Sequence, residues 1–470
     1  MHRRILPFIV FALAALACNG LTLGSAPTTS PATAAPAEST QPPSDTAPAQ
    51  PGPASSDNGI FSSPLPSNGR LAVQGADGNL YVIQKDKTPI QLSSDAVPLD
   101  QNSHGLIYAH PTWSPQGWLS YVRENSTSSG SQTDLMAIPP NQSNPITILS
   151  QSAGSYIYGY WSPAACSSGD ACGRFAFLLS NSDQVALHLA EVTQDKLTSE
   201  DAVGLASPFY FSWSPDGNDM LWHRNTTDLT IYDADKRQIS QRLPDTGGLF
   251  QSPAWSPSDN RWLFARVEHD ANQLTIANDT QRSNVGTPGS DALFFNWSPD
   301  GKYVASASGQ YPLTGLTLTR ADSAASIQIK SIDAVVGFFW SPDSSQLAVV
   351  NVEQKSQLPQ ASAPTYHARV LPQQSTNDVD LVWSLVDVAT DKVTRLGSFF
   401  PTPEEFYILR YFDQYSQSHR VWSPDGRYIV YAERQSDNVA PEVELLDTLA
   451  PGQAPIQLMQ GVQAIYSFGG

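Results

Sequence analysis

His110 and His419 hold equivalent places in this chain: each stands three residues before a tryptophan, Trp113 and Trp422, that opens a Trp-Ser-Pro sequence. Imidazole titrates near neutral pH without outside help, so two such rings at one height of a repeated unit could hold a metal or supply a general base. The plainer account is two polar residues in contact with water. Elsewhere the same place is taken by Tyr158, Tyr210, Ser252, Phe294 and Gly337, so no ring of ligands forms and neither a metal nor another cofactor is expected. Nucleophilic catalysis has no sequence support. There is no Gly-x-Ser-x-Gly elbow, zinc-protease helix motif, phosphate-cradling glycine loop or dinucleotide fingerprint, and no catalytic residue is assigned.

The elements that position these residues follow from an internal repeat. Trp113, Trp161, Trp213, Trp255, Trp297, Trp340 and Trp422 each begin a Trp-Ser-Pro frame, at spacings of 48, 52, 42, 42, 43 and 82 residues. Three copies continue as Asp-Gly; the others drift, to Gln116-Gly117 or Asp343-Ser344 for example. Proline presets the first corner of a tight turn, aspartate tolerates the second, and glycine takes the left-handed position that follows. Short apolar strands come after each turn, such as those beginning at Tyr303 and Tyr428, and a third and fourth strand complete an antiparallel unit. A period of ~40–45 residues is that of a four-stranded propeller blade. The tryptophan is suited to the seam between blades.

These repeats resemble the WD40-like repeats (PD40 type) of TolB-like propellers, from about residue 104 to the end. The resemblance implies an all-β fold, a β-propeller of four-stranded antiparallel blades, and is weak for function, because one propeller serves scaffolds, gating domains and lyases. The 82-residue gap reads as one blade with an insertion at 353–380. Strands near Arg70, Asn79 and Pro89 lack the motif, and Val462–Phe468 is a spare strand. Pairing the two ends closes the ring, removes an exposed edge and makes eight blades, with seven as the alternative.

In the resembling propellers the inner strand ends at the Ser-Pro-Asp-Gly turn, so the two longest loops, 353–380 and 397–418, share the opposite face. The second carries Phe399, Phe400, Glu404, Glu405, Phe406, Tyr407, Tyr411, Phe412 and Tyr415. They are the candidate binding rim, on the ground that long loops in compact domains usually carry function; a purely structural cap is the alternative.

Arg3 and Arg4, then the apolar run Ile5–Ala17, read as an export signal too short to span a bilayer. Ala15-Leu16-Ala17-Cys18 resembles the lipobox of bacterial lipoproteins, with Ala15 where leucine is usual. The resemblance makes residues 1–17 a signal peptide and Cys18 the lipidated residue; ordinary cleavage beside a stray cysteine is the alternative. Residues 18–58 are rich in Pro, Ala, Ser and Thr and read as a disordered tether to the propeller domain, 59–470. In an exported protein Cys166 and Cys172 read as a local disulfide, since zinc would need two further ligands nearby.

Twenty-six basic against forty-four acidic residues, a net charge of −18, argue against nucleic acid or an anionic membrane face as a partner. The expected protein is monomeric, touches the membrane through its lipid alone, and sits on the outer face of a bacterial membrane. There it acts as a non-enzymatic scaffold for an envelope protein or glycan. A propeller enzyme acting on envelope or extracellular polysaccharide, with His110 or His419 in the channel, is the second reading. An aromatic and amide channel lining would favour binding; clustered carboxylates, arginine and histidine would favour chemistry.

Overall fold

The computed structural model describes residues 61–100, 103–152, 154–166, 172–181, 184–354, 379–436 and 438–469. The signal segment 1–17, Cys18, the tether and most of the 353–380 insertion lie outside the described residues.

The repeat folds as its turn chemistry requires. In the Trp213 unit, strands Phe209–Trp213, Asp219–Arg224, Asp228–Asp233 and Gln238–Arg242 pair in sequence order, all antiparallel. The serine of the turn does three things. Ser214 donates from Oγ to Asp216 (2.6 Å), its Oγ accepts from the Asp219 N–H (2.9 Å), and its carbonyl accepts from the Gly217 N–H (2.9 Å). The same set recurs at Ser298, with Asp300, Tyr303 and Gly301, and at Ser423, with Asp425, Tyr428 and Gly426. Gly217, Gly301 and Gly426 all sit near φ +70°, where a side chain is strained. At Gly217 and Gly301 there is also no room, because a Cβ would run into Ser162 or Ser258 of the neighbouring turn.

The motif tryptophan staples one blade to the next. The indole N–H of Trp161 donates to the Thr112 carbonyl (3.1 Å), that of Trp213 to Tyr160 (3.3 Å), that of Trp297 to Ala254 (3.3 Å) and that of Trp422 to Phe339 (3.0 Å). Each acceptor directly precedes the tryptophan of the preceding blade. Trp340 varies the theme by donating to the Asn296 side chain (2.9 Å). Burying each indole contributes about 1.5–3 kcal/mol, and in these five the bond satisfies its one polar atom; the indole nitrogens of Trp113 and Trp255 are buried without a partner.

The 82-residue gap is one blade. Val335–Trp340, Gln346–Gln354, Val379–Asp387 and Val393–Phe399 form one four-stranded sheet. The blade count needs correction, from the eight expected to seven. Six sheets have four strands and the seventh has six, in the order Tyr428–Glu433, Glu442–Asp447, Ile456–Tyr466, Arg70–Gly75, Leu80–Gln84, Ile90–Gln91. The chain ends do pair, from Leu71 opposite Tyr466 to Gly75 opposite Gly461. What the spacing concealed is that the last outer strand and the spare C-terminal strand are one strand with no turn between them. Its first half pairs with Glu442–Asp447 and its second with Arg70–Gly75, so the two groups fuse into a single sheet. Gly461 marks the change of partner: a Cβ there would lie 2.9 Å from Gln74 O, Val443 Cγ2 and Val73 Cγ1. A disulfide joins Cys166 and Cys172, whose Cα atoms are 5.6 Å apart.

Candidate functional site

The segment expected as a rim is instead a plug. Thr402-Pro403-Glu404-Glu405 starts helix α1 (Pro403–Arg410), and α2 (Phe412–Tyr415) follows directly. Thr402 caps α1 by accepting the Glu405 N–H at Oγ1 (3.1 Å), proline occupies the first turn, and the acidic pair faces the positive end of the helix dipole. Those signals were legible in the sequence, as was the spacing of Ile408, Leu409, Phe412 and Tyr415. All four are at most 2 % exposed.

The plug is gripped by the positions three residues before the motif tryptophans. Tyr158 donates to the Gln414 carbonyl (2.9 Å) and meets Tyr415 edge-on. The Ser252 N–H donates to Asp413 (3.2 Å). Phe294 packs on Phe412, as does Phe338, which follows Gly337, with centroids 6.3 and 4.2 Å apart. Gly337 lacks a side chain because Phe412 and the Leu409 carbonyl occupy its space. Of the nine expected rim residues, Phe399, Glu405, Phe412 and Tyr415 are buried, Glu404 and Tyr411 are half-buried, and Phe400, Phe406 and Tyr407 are exposed.

The structure brings His110 and His419 close enough to interact electrostatically, each inside the molecule. Burial lowers His110 to about 4, and burial together with His110 lowers His419 to about 3, so both rings are neutral near pH 7. His110 lies against Tyr156 with the rings tilted by 41° and centroids 5.2 Å apart, and His419 Nδ1 lies 2.8 Å from Ser418 Oγ. Among the described residues no three His, Cys, Asp or Glu side chains are placed to hold a metal.

Beneath the plug, on the face of the Ser-Pro turns, the channel remains as a cup of about 570 Å³. Its walls are motif residues, Trp161, Trp213, Trp255, Trp297, Trp340 and Trp422 with the turn prolines at the mouth, and its floor is the chain leaving α2, Ser416–Arg420. Gln417 ties the floor to three blades. Its Oε1 accepts from Tyr160 (3.1 Å) and Ser212 (2.7 Å), and its Nε2 donates to Ser252 Oγ (3.1 Å) and the Pro253 carbonyl (3.2 Å). Sequence reasoning did not single out Gln417 or Arg420, because only the plug brings them to the channel.

The fold and site define a β-propeller whose channel is closed at one end by an inserted helix pair and open at the other as an aromatic and amide cup. No protein-family description matches the sequence, and no curated protein does. Solved structures resemble it as propellers. TolB from Acinetobacter baumannii is 14 % identical over 73 % of this chain and 80 % of that one, with a TM-score of 0.36. The C-terminal WD40 domain of Sif2 is 12 % identical over 75 % and 87 %, TM-score 0.43. An oligogalacturonate lyase from Vibrio parahaemolyticus is 12 % identical over 81 % and 98 %, TM-score 0.45. At such identities the likeness concerns the fold alone.

Proposed function

We propose that this chain is a cell-envelope lipoprotein, held to the outer face of a bacterial membrane by a lipid on Cys18, whose propeller is a non-enzymatic scaffold engaging a protein or glycan partner at the cup. The observation that carries the binding reading is the lining: indole edges, proline rings and side-chain amides predominate, and the one arginine, Arg420, and the one histidine, the neutral His419, have no carboxylate beside them among the described residues that form it. Such concave, mostly apolar surfaces with a few placed polar groups are what ligand sites are made of. The lipid anchor rests on the sequence around Cys18, and the acidic balance of the chain accords with attachment through lipid rather than through basic patches.

Two measurements test this. The Cys18→Ser protein is expected in the soluble exported fraction or with its signal uncleaved; a correctly processed variant that stays membrane-bound overturns the anchor. A photo-crosslinking residue at the exposed turn position Ser258, beside the cup mouth, is expected to give a defined adduct in the native envelope. The same residue at Phe406, on the outer side of the plug, is expected to give none. Adducts at Phe406 alone would move the binding surface to the plug face.

A further inference from the structure

The polar groups lining the cup bond almost entirely to the protein itself. Gln417 uses both ends of its amide, as described. Asn296 donates to the Phe338 carbonyl (3.2 Å) and accepts from Trp340 (2.9 Å). Tyr160 donates to Gln417 and accepts the Trp213 N–H (2.8 Å); Ser212 likewise donates to Gln417 and accepts the Trp255 N–H (2.9 Å). These groups hold the ring together and have little capacity left for a guest.

His419 Nε2 is also without a partner, but its ring is neutral near pH 7; the charged exception is Arg420. Its guanidinium lies over the Phe468 ring, 4.1 Å from the centroid, and lines the cup. Among the described residues it has no side-chain hydrogen bond and no ion pair, in a chain carrying 44 acidic residues. Among the described residues it is the only permanently charged side chain in the lining, and burial alone lowers its pKa, to about 10. A half-buried cation with five unused donors is costly, and that cost is relieved when an anion arrives.

We propose that the cup binds a small carboxylate: one anionic group held by Arg420, on an apolar or ring-shaped body packed against the tryptophan edges. Three observations set this class. The planar fork of arginine matches a carboxylate with two parallel hydrogen bonds. A single cation, beside a His419 ring that is neutral near pH 7, suits one negative charge better than a dianion. The floor closed by Gln417 prevents a polymer from threading the channel, so what enters from a partner is one small group that fits within about 570 Å³. Phe468, stacked on the guanidinium, shields the pair from water and strengthens it.

This rests on the cup being the binding site, and the test separates the two claims. Calorimetric titration of the folded protein with benzoate and cyclohexanecarboxylate is compared with their neutral amides, benzamide and cyclohexanecarboxamide. The acids are expected to bind at least tenfold more tightly than the amides. Arg420→Gln is expected to erase that preference, and Arg420→Lys to keep part of it, both with unchanged near-ultraviolet circular dichroism. Equal binding of acids and amides, or an Arg420→Gln protein that still prefers the acids, overturns the carboxylate assignment and leaves the cup a binding site. No binding by either series overturns the assignment too, and the Ser258 crosslink then reports separately on whether the cup mouth meets a partner.

Discussion

Replacing Phe412 by alanine should destabilise the protein by about 3–5 kcal/mol, the usual cost of emptying a fully buried phenylalanine site. Phe412 is wholly buried, packs on Phe294 and Phe338, and fills the space left by Gly337. The site cannot collapse easily, since its walls are inner strands pinned to their neighbours by the tryptophan staples. Phe406→Ala, on the same helical segment, provides the contrast. That ring is 42 % exposed, and its loss should change stability by less than about 0.5 kcal/mol. Urea unfolding followed by tryptophan fluorescence measures both. If the two variants unfold together within 1 kcal/mol of wild type, the helix pair is a loose cover and not part of the core.

The second large effect is a loss of stability with rising pH. Burial raises Glu405 to about 8 and Asp413 to about 7, although backbone N–H groups donate to both. Carboxyls raised on folding bind a proton that the unfolded chain has already lost. Their contribution is complete below the unfolded pKa near 4 and disappears as pH climbs through 7 and 8. His110 and His419 act in the opposite sense. Their folded values of about 4 and 3 lie below the ordinary 6.5, so they add stability as pH rises to 6.5 and nothing beyond it. Between about pH 4.5 and 6.5 the two pairs offset one another. Above 6.5 the carboxyls act alone, and stability should fall by roughly 2–3 kcal/mol by pH 8, at about 1.4 kcal/mol per linked proton and pH unit. Glu405→Gln combined with Asp413→Asn should abolish that fall and uncover a rise between pH 4.5 and 6.5. A variant whose pH profile runs parallel to wild type from 4.5 to 8 would show that neither carboxyl is buried as described.

The propeller was legible in the sequence because its information is local. Each Ser-Pro-Asp-Gly turn is specified by four adjacent residues: proline's fixed φ, the serine and aspartate that bond across the corner, and the glycine near φ +70°. The role of the tryptophan followed from its recurrence in one frame, and the blade with the long insertion from its apolar strands. The plug was partly legible. Thr402-Pro403-Glu404-Glu405 with apolar residues at Ile408, Leu409 and Phe412 is a helix start, but nothing local says that the helix enters the channel.

Other features could not be read from the sequence, because each depends on groups far apart in the chain meeting in space. Seven blades rather than eight follow from one strand, Ile456–Tyr466, pairing with residues nearly four hundred positions away, which no period reports. A buried Phe412 and an exposed Phe406 are the same residue type six positions apart; only the ring of Tyr158, Ser252, Phe294 and Gly337 decides which one enters the core. Arg420 is one arginine among many in the sequence. It becomes the cation lining the cup because the plug delivers it to the channel wall and, among the described residues, no carboxylate pairs with it.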